Sequence, residues 1–272
     1  EEAIMFNMLC MDLRRLFRSR SFYIILGVTA ALILLVVLLT SVVSDPETLD
    51  DMRASGAEIE EIDRRISEEI RSMTQLDLTH ETLGSGFLLV MIGIGMTLFV
   101  NSDFSSGFVK NICYAQPRRT GYVLSKTLTA GVYSGVITTL GTVLVLLSPY
   151  LYGMHPLPTP VPDILQYMFW MWLPHWAFAM MALALVLLVR NATASIILSL
   201  VAGGGLTAVV LGTLGNLMHW PPVERYLLAS VVKGLYVPKS GIEQAGVILV
   251  CTVAWIAVYG IGGLLSIEKG DI

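Results

Sequence analysis

Apolar runs of eighteen residues or more recur along this chain, and no other feature narrows its fold so sharply. Each is long enough to cross roughly 30 Å of hydrocarbon as a helix. A helix that meets water keeps one polar face, and several of these runs have none. The 272 residues are 55% hydrophobic and 14% charged, against about 25% charged in a soluble domain. The pattern predicts an all-α polytopic membrane protein.

Six spans are predicted, at 22–43, 83–101, 123–149, 164–189, 193–215 and 243–266. The second is short and carries Gly84, Gly86, Gly93 and Gly95, which membrane helices tolerate better than soluble ones. The first is too long for a signal-peptide core and has no small-residue cleavage site behind it, so it reads as a retained span. Basic residues set the orientation. Arg14, Arg15, Arg18, Arg20, Lys110, Arg118, Arg119, Lys126, Arg190 and Lys269 fall on one side if six spans alternate. That side is expected to be cytoplasmic, with both termini in it. The other side carries fifteen acidic residues against seven basic ones. Tyr150, Tyr152, Trp220, Tyr226 and Tyr236 gather near its boundary, as interfacial anchors do. Gly131 and Gly135 form a small-xxx-small pair in the third span that would admit a close neighbour.

Four segments say more than span count. Residues 5–20 place Met5, Phe6, Leu9, Leu13 and Leu16 on one stripe and Arg14, Arg15 and Arg18 opposite, the pattern of a helix lying in the membrane interface. The loop 102–122 is basic yet interleaved with Phe104, Phe108, Ile112 and Tyr114. A short amphipathic helix over 105–114 would offer those residues to a partner protein, and Pro117 and Gly121 then punctuate the loop before the third span. The outer loop 45–81 holds twelve acidic and four basic residues. Within it Ile59, Ile62, Ile66 and Ile70 fall at helical spacing, a stripe that needs cover from the rest of the assembly or from a substrate. Residues 216–242 combine Trp220-Pro221-Pro222 with a stretch too short and charged to cross. They are expected to form a re-entrant or interfacial hairpin, whose backbone must be covered by protein or line a wet cavity.

Chemistry on this chain is not expected. There is no phosphate-binding GxxxxGK[ST] loop, no HExxH and no G-x-S-x-G elbow. His80, His155, His175 and His219 share no ligand spacing, and Cys10, Cys113 and Cys251 show neither zinc nor disulfide spacing. The spans carry almost no ionisable side chains, which disfavours an ion-coupled carrier. His175, beside Pro174 in the fourth span, reads first as a packed neutral imidazole.

The stretch MLCMDLRRLFRSRSFYI and the loop DFSSGFVKN…QPRRTGYVLSK resemble the permease subunits of type-2 ABC exporters, especially bacterial ones of peptide export and antimicrobial-peptide immunity. The resemblance covers the chain end to end. It implies the transmembrane fold of that family, six spans preceded by an interfacial elbow helix containing Arg14, Arg15 and Arg18. A coupling helix would come after the second span, with Phe104, Gly107, Phe108, Lys110, Ile112 and Tyr114 against a cytoplasmic ABC ATPase. Arg118, Arg119, Ser125 and Lys126 match the basic Ser-Lys entry into the third span. Asp103 stands where many members have Glu, and Gly107-Phe108 where many have Gly-Thr. The resemblance further implies a bacterial plasma-membrane location and a second permease chain, identical or a sister. ATP and magnesium would sit on the partner ATPase, with no cofactor or metal on this chain. The cargo would be an amphipathic peptide or lipid-like molecule, with membrane lipid as surroundings and no nucleic-acid partner. A non-transporting immunity or sensor protein that binds peptide at its outer loop is the other expectation.

Overall fold

The computed structural model describes residues 2–55, 61–109, 119–235 and 242–269. Among these the chain is helical throughout, save a lone parallel bridge between Thr74 and Leu157. Helix α1 (Glu2–Arg18) breaks at Ser19 and leads into α2 (Arg20–Ser44). Three short helices come next: α3 (Pro46–Ala54), α4 (Glu61–Ser72) and α5 (Gln75–Leu83). Then come α6 (Phe87–Ser105), α7 (Arg119–Leu151) and α8 (Val161–Val189). A bent pair, α9 (Ala192–Gly203) and α10 (Leu206–Met218), precedes a 3-10 turn at Val223–Tyr226 and the short α11 (Leu228–Lys233). The last helix is α12 (Ile242–Lys269).

Among the described residues α2, α6, α7, α8 and α12 are each long and apolar enough to cross a membrane alone. The molecule is a multi-pass helical membrane protein. Helix α8 is the central post, with 72% of its apolar window buried, whereas α12 and α2 bury 22% and 28% of theirs and form the rim. The rim leaves Ile24, Leu35, Leu39, Val250, Val258 and Ile261 exposed, a surface that only lipid or another apolar partner can cover.

The fifth span is not the continuous helix that the run 193–215 predicts. It breaks by 58° between α9 and α10. The apolar pattern continues through the break, but Gly203, Gly204 and Gly205 stand there in a row, and Gly205 takes φ +80. Glycine alone enters that left-handed region without steric cost, so the backbone turns where hydropathy reports no change. Together the pair is long and apolar enough for one pass. Ser266 at the end of α12 donates to the Leu187 carbonyl at the end of α8, at 2.7 Å, so α8 and α12 run the same way. The chain between them must therefore return once across the bundle.

Three other readings shift. The glycine-bearing start of the second span belongs to a turn: α5 ends at Leu83, residues 84–86 turn, and α6 begins at Phe87. The elbow stripe is also rotated. The inward face of α1 is Met8, Asp12 and Leu16, at 5%, 1% and 1% exposure, while Phe6 is 63% exposed. A carboxylate displaces an apolar stripe from the bundle only because a buried cation, Lys126, meets it there at 2.7 Å. The glycines of α7, finally, make room for indoles rather than for a helix backbone. Trp172 and Trp176 stack with centroids 5.3 Å apart, and donate to the Gly131 and Thr127 carbonyls, both at 2.9 Å.

Candidate functional site

At the elbow end, α1, the last turn of α6 and the first turns of α7 meet around four charges. The Lys126 ammonium lies 2.7 Å from Asp12 Oδ1 and 2.7 Å from Asp103 Oδ2. All three side chains are buried, at 0%, 1% and 0% exposure. Ser125 donates to Asp12 Oδ2 at 2.6 Å, and Tyr122 donates to Asp103 Oδ2 at 3.0 Å. Arg15 closes the group from the rim. Its Nη2 lies 2.7 Å from Asp103 Oδ1, a contact of charge rather than an aligned hydrogen bond. The Phe99 ring lies 4.5 Å from the Lys126 nitrogen, and Arg15 sits over the Phe108 ring at 4.2 Å, distances at which ring quadrupoles attract cations.

Two carboxylates face two cations, so the cluster is neutral as a whole. Buried charges are tolerated when paired and hydrogen-bonded, and removing one partner strands the other. Each helix supplies its members by local spacing. Asp12 and Arg15 are three residues apart on α1, and Tyr122, Ser125 and Lys126 lie three and one apart on α7, so each set lies on one side of its helix. Asp103 stands in the last turn of α6. What the arrangement does is mechanical: it binds three elements into one unit at the root of the loop that leaves α6.

That loop begins in full view. Helix α6 ends at Ser105, Gly107 turns the chain at φ +69, and helix resumes at Phe108 and Val109. The helix expected over 105–114 does not run through Gly107, and its residues 110–114 lie outside the described residues. Phe104 and Phe108 are half-buried and Val109 is buried. Lys110, Ile112 and Tyr114 lie outside the described residues. Of the elbow arginines, Arg14 and Arg18 are exposed, and only Arg15 enters the cluster.

The far end holds the acidic helices. Of the isoleucine stripe, Ile59 and the side chain of Ile62 lie outside the described residues; Ile66 is 42% exposed and Ile70 is half-buried. Among the described side chains of α4 the buried one is Ser67, which donates to the Ser44 carbonyl at 3.0 Å. A polar cleft of about 670 Å³ opens beside it, lined among others by Ser41, Asp45, Ile70, Arg71, Tyr152 and His155. The Thr48 hydroxyl donates to Asp45 at 2.6 Å and holds that carboxyl below the usual carboxylate range. Of the segment 216–242, residues 236–241 lie outside the described residues, and the described part touches α12, where Trp255 donates to the Tyr226 carbonyl at 2.9 Å. His80 joins α5 to α11 through the Lys233 carbonyl at 3.1 Å. Inside the bundle His175 is fully buried with Nδ1 2.6 Å from the Met171 carbonyl. Among the described residues no group of three metal-ligating side chains comes together.

The sequence pattern counted Lys126 only among the basic residues at the start of the third span, and gave Asp12 no role. A signal existed: each is a charge set within an apolar stretch, and the two have opposite sign. Compared with known proteins, the chain matches no family model and no curated protein.

Proposed function

We propose that this chain is the transmembrane permease subunit of an ATP-driven exporter of the bacterial type-2 ABC kind, with hydrolysis on a separate ATPase. The elbow end with Arg14, Arg18 and Arg190 would face the cytoplasm. Two such permeases, identical or paired, would stand over two ATPase subunits that bind ATP and magnesium. The observation that carries the reading is the neutral cluster of Asp12, Arg15, Asp103 and Lys126. It lies at the root of the basic, aromatic loop that a partner would push, and it joins that loop to the elbow helix and to the third pass. A displacement delivered at Phe104 and Phe108 would reach α1 and α7 without first being spent in a soft connector. The ATPase must hold the two permease states with different affinity for this to do work. An amphipathic peptide is the cargo that the mostly uncharged bundle interior and the acidic far end fit best.

The test is co-purification in detergent with a candidate ABC ATPase encoded beside the gene. ATP hydrolysis that depends on this subunit, and that Phe108→Asp uncouples from peptide movement, is the expected result. Absence of any such complex would remove the reading.

The cleft lined by Asp45, Arg71 and His155 favours a second one, a membrane protein that binds peptide at this face without moving it. Peptide binding to the chain alone, unaffected by any ATPase, would support that alternative.

A further inference from the structure

Helix α9 lies antiparallel to α6 along a seam of small residues. A Cβ on Gly93 would sit 2.9 Å from the Ser199 Cβ, and one on Gly203 would sit 3.1 Å from the Val90 backbone nitrogen. Gly86, one turn further, abuts the Gly203 carbonyl. In this register Thr97, a turn beyond Gly93, stands level with Ser195, a turn before Ser199. Small residues are what allow two membrane helices to approach so closely.

Three hydroxyls in that seam are anomalous. Thr97, Ser195 and Ser199 are each 0% exposed, and none of their oxygens has a hydrogen-bond partner in the protein. Serine and threonine in membrane helices ordinarily satisfy themselves on a carbonyl three or four residues back. Helix α7 does this repeatedly: Thr129 bonds to Ser125, Ser134 to Gly131, Thr138 to Ser134 and Thr142 to Thr138, at 2.7–3.1 Å. The hydroxyls of the α6–α9 seam point elsewhere. Buried polar groups left unmet are costly, so each calls for a partner outside its own helix.

The seam also ends at the one sharp break found in a membrane-crossing pass among the described residues. Beyond Gly203–Gly205 helix α10 departs at 58° and packs against the 3-10 turn, where a Cβ on Gly212 would meet the Glu224 side chain at 3.4 Å. Helix α10 is thus anchored separately from α9.

We propose that α9 pivots on the Gly203–Gly205 triplet away from α6, and that the opened seam is a water-filled cleft whose wall is Thr97, Ser195 and Ser199. The closed arrangement leaves the three hydroxyls unmatched, the open one hydrates them, and the glycine triplet lets α9 move while α10 stays in place. Hinges of this kind sit at element ends and absorb the change in a few residues. The inference stands apart from the exporter reading, because it concerns one chain and needs no ATPase.

The test uses the full chain in lipid nanodiscs, with Cys10, Cys113 and Cys251 replaced by alanine. Ser199→Cys and Ser195→Cys are introduced singly and timed against a charged methanethiosulfonate, whose sulfur a hydrated thiolate attacks to form a mixed disulfide with loss of methanesulfinate. Ala182→Cys, fully buried on α8, is the dry control. Both seam cysteines are expected to react at least about tenfold faster than the control, as residues exposed by a local opening do. Gly205→Ala, whose added Cβ meets nothing within 4 Å but whose φ of +80 strains the closed arrangement, should speed that reaction about threefold or more. Reaction at the control rate would overturn the wet seam. Fast reaction indifferent to Gly205→Ala, or slowed by it, would overturn the hinge.

Discussion

Lys126 and Asp103 meet at 2.7 Å with both side chains wholly buried, although they stand on different helices with the whole loop after α6 between them. Their pairing fixes where that loop leaves and re-enters the bundle. It does so together with Asp12, so the loop's root is also tied to the elbow helix.

Removing one charge should therefore cost more than removing a matched pair. Lys126→Met leaves Asp12 and Asp103 with Arg15 alone, and is expected to destabilise the protein by about 3–5 kcal/mol. Adding Asp12→Asn restores neutrality and should recover about 1–3 kcal/mol of that loss. Thermal unfolding of the parent, both single variants and the double variant in one detergent measures this. A double variant as unstable as the sum of its parts would show that charge balance is not what holds the cluster.

The Arg15–Phe108 contact at 4.2 Å gives the loop its first hold on the elbow helix. Phe108→Leu keeps the volume but removes the ring face, and should weaken the contact by about 0.5–2 kcal/mol. In a reconstituted complex it is expected to lower peptide-stimulated ATP hydrolysis while leaving basal hydrolysis intact. Phe108→Asp with Ile112→Asp should abolish coupling altogether, and undiminished coupling would refute the role given to this loop.

Gly95 has no room for a side chain, because a Cβ there would run into the Tyr133 hydroxyl. Gly95→Ala should cost about 1–3 kcal/mol, the usual penalty for overpacking. Tyr133→Phe removes the obstructing oxygen, which has no hydrogen-bond partner in the protein, so that change alone should be nearly neutral. Combining the two should restore most of the stability lost in Gly95→Ala, as read by melting temperature.

Counting the bent pair α9–α10 as one span gives six passes, which would put the described ends of the chain, α1 and the close of α12, on one side of the membrane. Reporter fusions at the N- and C-termini are expected to give the same sidedness, with green fluorescence and no periplasmic phosphatase activity if that side is the cytoplasm. Opposite sidedness would mean that α9 and α10 dip in and return on the same face.

Much of the architecture was legible from composition and period alone. Apolar length finds spans because backbone polar groups in hydrocarbon must be met within a helix, whatever the helix packs against. Hydropathy located α2, α7, α8 and α12 closely, since each is one long unbroken run. It failed at Gly204–Gly205, where the apolar pattern is continuous and only φ changes, and at 84–86, where small apolar residues look alike in a turn and in a helix. The interior of the outer loop was harder still. A stripe of isoleucines predicts an inward face, yet Ser67 on α4 is the buried residue because a carbonyl at Ser44 is there to accept from it.

The sequence by itself determined that this chain is helical, crosses an apolar layer several times and gathers basic residues on one side. Those properties are local sums over single segments. Which charges are solvated and which are buried was decided only by tertiary structure. Lys126 and Arg18 are both basic residues at the elbow end, yet Arg18 is exposed while Lys126 is sealed inside because Asp12, from a helix far earlier in the chain, lies within 2.7 Å of it. No periodicity within one segment carries that fact, because a buried charge is stable only by virtue of a partner that another segment brings.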